Sequence, residues 1–323
     1  MRALCGVFCS AVTLTRMKDR LSIRQLESLV AVAEHANFRK AADAIGITQP
    51  ALSSQVQLAE AALGLQVFER DRRSVLVTPA GEDIVARCRL ALSAIDEVSE
   101  VARNRGKPLV GELRLGVIPT VAPYWLPPLL GALRKAFPEL RLILREEQTA
   151  RLLELLHSGQ IDCAFLALPV AGDYTSAQIA REEFLVAAPR NAPILKRGAQ
   201  LHLRDLAGQE VLLLEDGHCL RDQALAVCER GGAIEPLEVR ATSLPTLVQM
   251  VAGGLGITLL PEAAAAALAP RRGPVGTARF GRPTPGRNLG LVWRTSSARL
   301  REFRLLAETL REASHDVVGD HVG

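Results

Sequence analysis

The stretch FRKAADAIGITQPALSSQVQLAEAALG, from Phe38 to Gly64, restricts the fold more than any other part of the chain. It reads as one helix, a glycine-containing turn at Gly46, and a second helix opened by Thr48 as N-cap with Pro50 in its first turn. That is a helix-turn-helix. Its second helix offers Thr48, Gln49, Ser53, Ser54 and Gln55, short donor and acceptor side chains able to reach base edges in a major groove, with Pro50 beside them. The next segment, FERDRRSVLVTPAG, gives a basic turn (Arg70, Arg72, Arg73) and a short strand ending at Thr78-Pro79-Ala80-Gly81, which suits a wing set against phosphates. The alternative is a helical hairpin that binds no DNA.

Charge permits DNA binding without forcing it. The chain of 323 residues has a formal net charge of +4, and arginine supplies 34 of its 39 basic residues. Between Met17 and Val75 eight Lys and Arg stand against seven Asp and Glu, so DNA affinity must lean on the wing arginines and on pairing two such domains.

From Gly111 onward apolar β-branched runs alternate with amphipathic helical windows, the pattern of α/β units. ELRLGVI, LRLILRE, IDCAFLAL, EEFLVAAP, EVLLLED and LGLVWR are the expected strands, and PEAAAAALAP a short helix stopped by proline. Between the two regions Ile84, Cys88, Ala91, Ile95, Val98 and Ala102 recur at intervals of 4, 3, 4, 3 and 4, a heptad seam that predicts a dimerising linker helix over residues 82–106. An amphipathic helix packed on its own domain is the plainer reading. Asn104 to Gly111 supplies the glycine and proline of a hinge. Residues 1–20 are expected to form a disordered extension, with Met17 an alternative start, and residues 21–81 the winged helix domain.

Six cysteines spread over this length are not a secreted disulfide framework, and none forms a CxxC pair suited to zinc; a reducing, cytoplasmic setting, no metal and no cofactor are expected. No apolar run is long enough for a membrane span.

In open α/β sheets ligands sit beyond the carboxyl ends of strands. LRLGVIPTVAPYWLPP is expected to end a strand at Ile118 and present Thr120, LRLILREEQT to end in Thr149, and EVLLLEDGHC to end in His218 and Cys219 where a helix begins. The first turn of a helix favours negative charge and hence a thiolate at Cys219, with His218 and Arg221 adding to this and Asp222 and Glu215 opposing it. A small buried apolar cysteine fits the same position equally well. Cys228 lies nine residues on. On an intact helix nine residues advance roughly 13.5 Å and turn about 900°, so the two sulfurs leave from opposite faces. A disulfide needs Cα atoms within about 7 Å. The pair can meet only if the segment unwinds.

Phe38 to Gly81, with its AA…TQPALSSQ…E…LG…FER…T.AG framework, resembles the winged helix-turn-helix of LysR-type transcriptional regulators. One departure is Gln57, Leu58 and Ala59, where the family usually carries basic residues followed by leucine. LLLEDGHCLRDQAL, IPTV.PY.LP, EEQT, LHSGQIDC, RATSL, GITLLP and LGLVWR extend the likeness to about Ala313, toward the hydrogen-peroxide-sensing activators of that family. The resemblance implies an α+β multidomain fold: a winged helix, a long linker helix, and an α/β periplasmic-binding-protein-like regulatory domain over 111–315. Its two subdomains would span about 111–182 plus 287–315, and about 183–286.

By the same resemblance Cys219 is the peroxidatic cysteine and Cys228 the resolving one. Thr120, Thr149 and His218 would line the peroxide pocket, Asp222 would handle protons and Arg294 would steady the thiolate. The implied partners are promoter DNA, hydrogen peroxide, RNA polymerase, a thiol reductant and further copies of the chain as a dimer assembling to a tetramer, in the cytoplasm at the nucleoid. A regulator of this kind reacts stoichiometrically and is not an enzyme. Two other readings stand beside it: a regulator answering to a small organic effector with incidental cysteines, and a thiol peroxidase with an appended DNA-binding domain.

Overall fold

The computed structural model describes residues 21–70, 75–104, 108–196 and 200–318, in two units divided between Asp96 and Glu97. The expected extension, Cys5, Cys9, Arg72 and Arg73 lie outside the described residues.

In the first unit α1 (Ile23–His35) is opened by a capping box between Ser22 and Gln25, and α2 (Phe38–Ala44) by Asn37, whose carboxamide oxygen accepts from the Arg39 and Lys40 amides. Gly46, at φ +68°, turns the chain sharply into α3 (Gln49–Leu63). Thr48 occupies the N-cap of α3, but its hydroxyl makes no capping hydrogen bond. A hairpin comes next, β1 (Phe68–Arg70) antiparallel to β2 (Val75–Val77), and then α4 (Pro79–Asn104). Leu29, Val32, Leu52, Val56, Phe68 and Cys88 are among the side chains of its core. The motif residues of this region have plain structural duties. The Glu60 carboxylate accepts from the Val67 and Phe68 amides at 2.9 and 3.1 Å, fastening the wing to α3. Thr78 gives its hydroxyl proton to Gln66 O and accepts from the Gly81 amide, and a Cβ on Gly81 would lie 2.2 Å from Val67 O.

Cys88 is 3% exposed in the core of its own unit, alongside Val85, whereas Ile95 and Val98 stand 37% and 72% exposed. The first turns of α4 thus pack into the core of their own unit, and the exposed Ile95 and Val98 carry the seam beyond it.

In the second unit β3 (Gly111–Val117), α5 (Ala122–Ala136), β4 (Leu140–Glu146), α6 (Thr149–His157) and β5 (Cys163–Leu168) wind in turn, with β3 parallel to both β4 and β5. β6 (Tyr174–Pro189) is long enough to serve two cores. Its first half pairs antiparallel with β11 (Gly286–Arg294); its second half pairs with β9 (Thr258–Pro261) and β10 (Val275–Arg279). The expected strand EVLLLED is broken up: Leu213–Leu214 (β7) pairs in parallel with Arg240–Ala241 (β8), while Glu210 and Val211 make isolated parallel bridges to Ile234 and Ile257. The remaining elements are α7 (Cys219–Gly231), α8 (Leu244–Ala252), α9 (Glu262–Leu268), α10 (Leu300–Ala313) and α11 (His315–Val318).

Two apolar cores result. One gathers Leu115, Trp125, Phe165, Trp293 and Phe303, with Trp125 edge-on to Phe165 at 6.0 Å; the other gathers Phe184, Val186, Leu212, Leu220 and Cys228. Burying each such Leu or Phe contributes about 1.5–3 kcal/mol to the lobe that holds it. β6 leaves the first core after Ile179 and enters the second at Phe184.

Candidate functional site

On α3 the side chains sort by period. Leu52, Val56 and Ala59 are buried; Thr48, Gln49, Pro50 and Ser54 are exposed, and Ser53 and Gln55 lie half-buried between the two sets. Gln57 and Leu58 extend the exposed face without charge. Arg70 closes β1, and Arg72 and Arg73 lie outside the described residues.

Strand direction builds the second site. β3 and β5 run parallel, so the segment after Val117 and the residues at Leu168 and Pro169 emerge at one edge. β11 runs opposite to β5, which pairs Asn288 with Leu168 and brings the first residues of β11, Gly286 and Arg287, to that same edge. A cavity of about 420 Å³ lies there, lined among others by Leu168, Arg181, Cys219, Asp222, Gln223 and Arg287.

Arg287 is 3% exposed and fully engaged with its neighbours. Its Nη1 donates to Thr120 Oγ1 at 2.8 Å and its Nη2 to Thr120 O at 3.0 Å. Its Nε donates to Glu182 Oε2 at 2.9 Å, completing an ion pair whose two side chains are both shut off from solvent. Thr120 itself is buried, three residues past the end of β3 rather than two past a strand ending at Ile118. Thr149 opens α6 instead of ending a strand, because Gln148 has already taken the N-cap. The Thr149 Oγ1 and the Gln223 Oε1 are buried without a hydrogen-bond partner among the described residues. Gly217 sits at φ +95°, and a Cβ there would come within 2.5 Å of Gln148 Oε1. The start of α6 thus abuts the turn that leads to His218, the N-cap of α7, and to Cys219, its first residue.

Two sequence expectations are corrected. Arg294 stands at the far end of β11, opposite Tyr174, seven residues from Arg287 and roughly 23 Å along an extended strand. Its guanidinium donates to the carbonyls of Leu156 and Ile161 and cannot steady a thiolate at Cys219. The buried cation on the cavity is Arg287, which is hidden from the sequence because nothing local reveals which end of an antiparallel strand faces a cleft. Arg221 also turns away from the thiol. It donates to Asp216 at 2.8 Å and Glu235 at 2.6 Å, while Arg240 donates to Asp216 at 2.7 Å. These arginines hold the Asp216 carboxyl below the usual carboxylate range, the hydrogen bond from Arg221 leading.

α7 is unbroken from Cys219 to Gly231. Cys219 is half-buried against the first core, whereas Cys228 is 3% exposed in the second. All four cysteines of the described residues are free thiols. Burial pushes the Cys228 thiol up to about 11, with the Glu235 and Glu229 carboxylates adding to it. Because the folded value lies above the unfolded one, the stability linked to this thiol is present below about pH 9 and is lost as pH rises toward 11. Chemical denaturation between pH 8 and 11 should show that loss, and Cys228→Ala should flatten it.

The fold and both sites lead to one comparison. Residues 23–82 match the lysR family of bacterial regulatory helix-turn-helix proteins, and residues 106–314 the LysR substrate binding domain. The chain belongs to the LysR family. Among LysR relatives it is 44% identical over 300 residues to a probable hydrogen peroxide-inducible genes activator of Streptomyces viridosporus, covering 92% of this chain and 95% of that one. It is 42% identical over 294 residues to the DNA-binding transcriptional dual regulator OxyR of Escherichia coli strain K12, covering 90% and 95%. Full-length OxyR from Pseudomonas aeruginosa, a cysteine variant, superposes with a TM-score of 0.78 at 32% identity, over 90% of this chain and 98% of that one. A Corynebacterium glutamicum OxyR mutant, described as H2O2-bound, superposes with a TM-score of 0.63 at 39% identity, over 93% and 96%. This LysR-family chain is therefore a DNA-binding transcription regulator homologous to OxyR. No helix among the described residues is long and apolar enough to cross a membrane.

Proposed function

We propose that the protein senses hydrogen peroxide by oxidation of Cys219 and disulfide formation with Cys228, and so switches oxidative-stress defence genes. The observation that carries this reading is the placement of Cys219: it opens α7 on a cavity shared with a buried arginine, while Cys228 waits on the same intact helix beyond bonding reach. Thr120, Thr149, His218, Asp222 and Arg287 are the proposed pocket; Thr48, Gln49, Pro50, Ser53, Ser54 and Gln55 at the start of α3 and Arg70, Arg72 and Arg73 of the wing are the proposed DNA contacts.

The Cys219 thiolate attacks one peroxide oxygen, the S–O bond forms as O–O breaks, and the second oxygen leaves as hydroxide and takes a proton to become water. Sulfur loses two electrons and peroxide gains them. After α7 unwinds, the Cys228 thiolate attacks the sulfenic sulfur, S–S forms, and hydroxide leaves to be protonated as a second water. A separate dithiol reductant resets the pair by exchange. The protein works as a homodimer pairing into a tetramer, in the cytoplasm, and passes its signal to RNA polymerase on promoter DNA.

The test is mass spectrometry after brief, sub-millimolar peroxide. A Cys219–Cys228 crosslink is expected in the wild type, and a Cys228→Ser variant should accumulate the sulfenic form at Cys219. Thiol labelling that found Cys219 no more reactive than Cys163, a thiol pushed up by complete burial, would overturn the reading. A second reading draws on the volume of the cavity, which exceeds what peroxide fills: a small organic effector binds there and the cysteines are incidental. That reading requires Cys219→Ser to respond normally.

A further inference from the structure

We propose that Glu182 is a positioning residue for peroxide reduction at Cys219, acting through Arg287 to make the Thr120 hydroxyl a hydrogen-bond donor. The inference rests on the reading of Cys219 as the reacting thiol.

Glu182 sits on β6 between Ile179 of one core and Phe184 of the other, with no exposed surface. Its carboxylate is held from three elements. Arg287 of β11 donates to Oε2 through Nε and stands within 2.8 Å of it through Nη2; Trp125 Nε1 of α5 and the Ala263 amide of α9 each donate to Oε1 at 3.1 Å. Gly286 lets β11 come this close, since a Cβ there would lie 2.4 Å from Glu182 O. A carboxylate bound on both oxygens by fixed donors cannot swing, and it grips the Nε–Nη2 edge of the guanidinium. The Nη1 edge is thereby aimed at Thr120 Oγ1.

The consequence is chemical. A hydroxyl can donate or accept, but one that accepts from a cation is left with its own proton to give. Charge grows on the departing peroxide oxygen as O–O breaks, and a fixed donor is what stabilises it. Stability alone does not account for the pair. A buried ion pair contributes little over well-packed apolar side chains of the same volume, so what the pair supplies is orientation.

Glu182→Gln removes the charge that holds Arg287, and Glu182→Asp keeps the charge but withdraws it by one methylene. Two rates at Cys219 are read in the full-length protein: oxidation by peroxide, which needs the donor, and alkylation by iodoacetamide, which needs only an accessible thiolate. Glu182→Gln should slow oxidation by about 10–100-fold while alkylation stays within about twofold. Thr120→Val should give a similar loss, and the double variant should lose no more than either alone, as coupled partners do. Glu182→Asp should lie between wild type and Glu182→Gln, and it serves as the readable variant if Glu182→Gln does not fold. Equal slowing of both rates, unchanged oxidation, or multiplying losses in the double variant would overturn the proposal. A wild-type Cys219 that peroxide leaves untouched would sink the sensor reading first and this inference with it.

Discussion

Cys219→Ser protein should give one and the same promoter footprint with and without peroxide, whereas wild-type protein should change its footprint on oxidation. The size of the effect comes from the helix between the two sulfurs. α7 buries Leu220, Ala224, Val227 and Cys228 on one face, and none of these can stay in place once Cys219 and Cys228 join. Re-exposing Leu220 and Val227 alone costs about 3–6 kcal/mol. Inverting a two-state population from 1:99 to 99:1 takes about 5.5 kcal/mol, so melting this one segment is of the size a full switch needs. The serine variant retains the winged helix and the ion pairs of Arg221 and Arg240, and so should retain DNA affinity in the reduced pattern. A serine variant that still changes its footprint with peroxide would remove Cys219 from the signal.

The same cost bears on resetting. Free energy used in unwinding α7 is taken from the disulfide, and for a two-electron couple 1.4 kcal/mol corresponds to about 30 mV. The Cys219–Cys228 couple should therefore lie roughly 60–130 mV above an unstrained structural disulfide. That shift favours reduction by a thiol system and makes the signal reversible.

What could be read from the sequence divides by the range of the interactions involved. The helix-turn-helix was legible because its determinants are local: Gly46 must turn left-handed, Asn37 caps α2, and Leu52, Val56 and Ala59 keep helical period. The start of α7 at Cys219 was legible for the same reason, an apolar run halted at Asp216-Gly217. The pocket cation was not. Arg287 and Arg294 both sit on β11, and choosing between them requires the direction of β11 against β5, a pairing set by residues more than a hundred positions away. Glu182 was invisible for a related reason: it lies among alternating residues of a long strand, and only the crossing from one core to the other makes its position special. Cys88 fits the heptad spacing and is also buried in the core of the first unit, a contact that spacing alone does not reveal.

Replacing Arg287 by methionine should strongly destabilise the regulatory domain. It strands the Glu182 carboxylate with only Trp125 Nε1 and the Ala263 amide as partners, in a place without solvent. Breaking a buried pair from one side costs about 3–5 kcal/mol, and for a domain of this size thermal unfolding should drop by about 10 °C. Adding Glu182→Leu to Arg287→Met removes the stranded charge and should recover most of the lost melting temperature. Reactivity should not come back with it, because the Thr120 hydroxyl then has no cation to set its direction. A double variant that regained both stability and peroxide reactivity would show that the pair only fills space; one that regained stability alone would separate what holds the lobes together from what prepares the thiol's pocket.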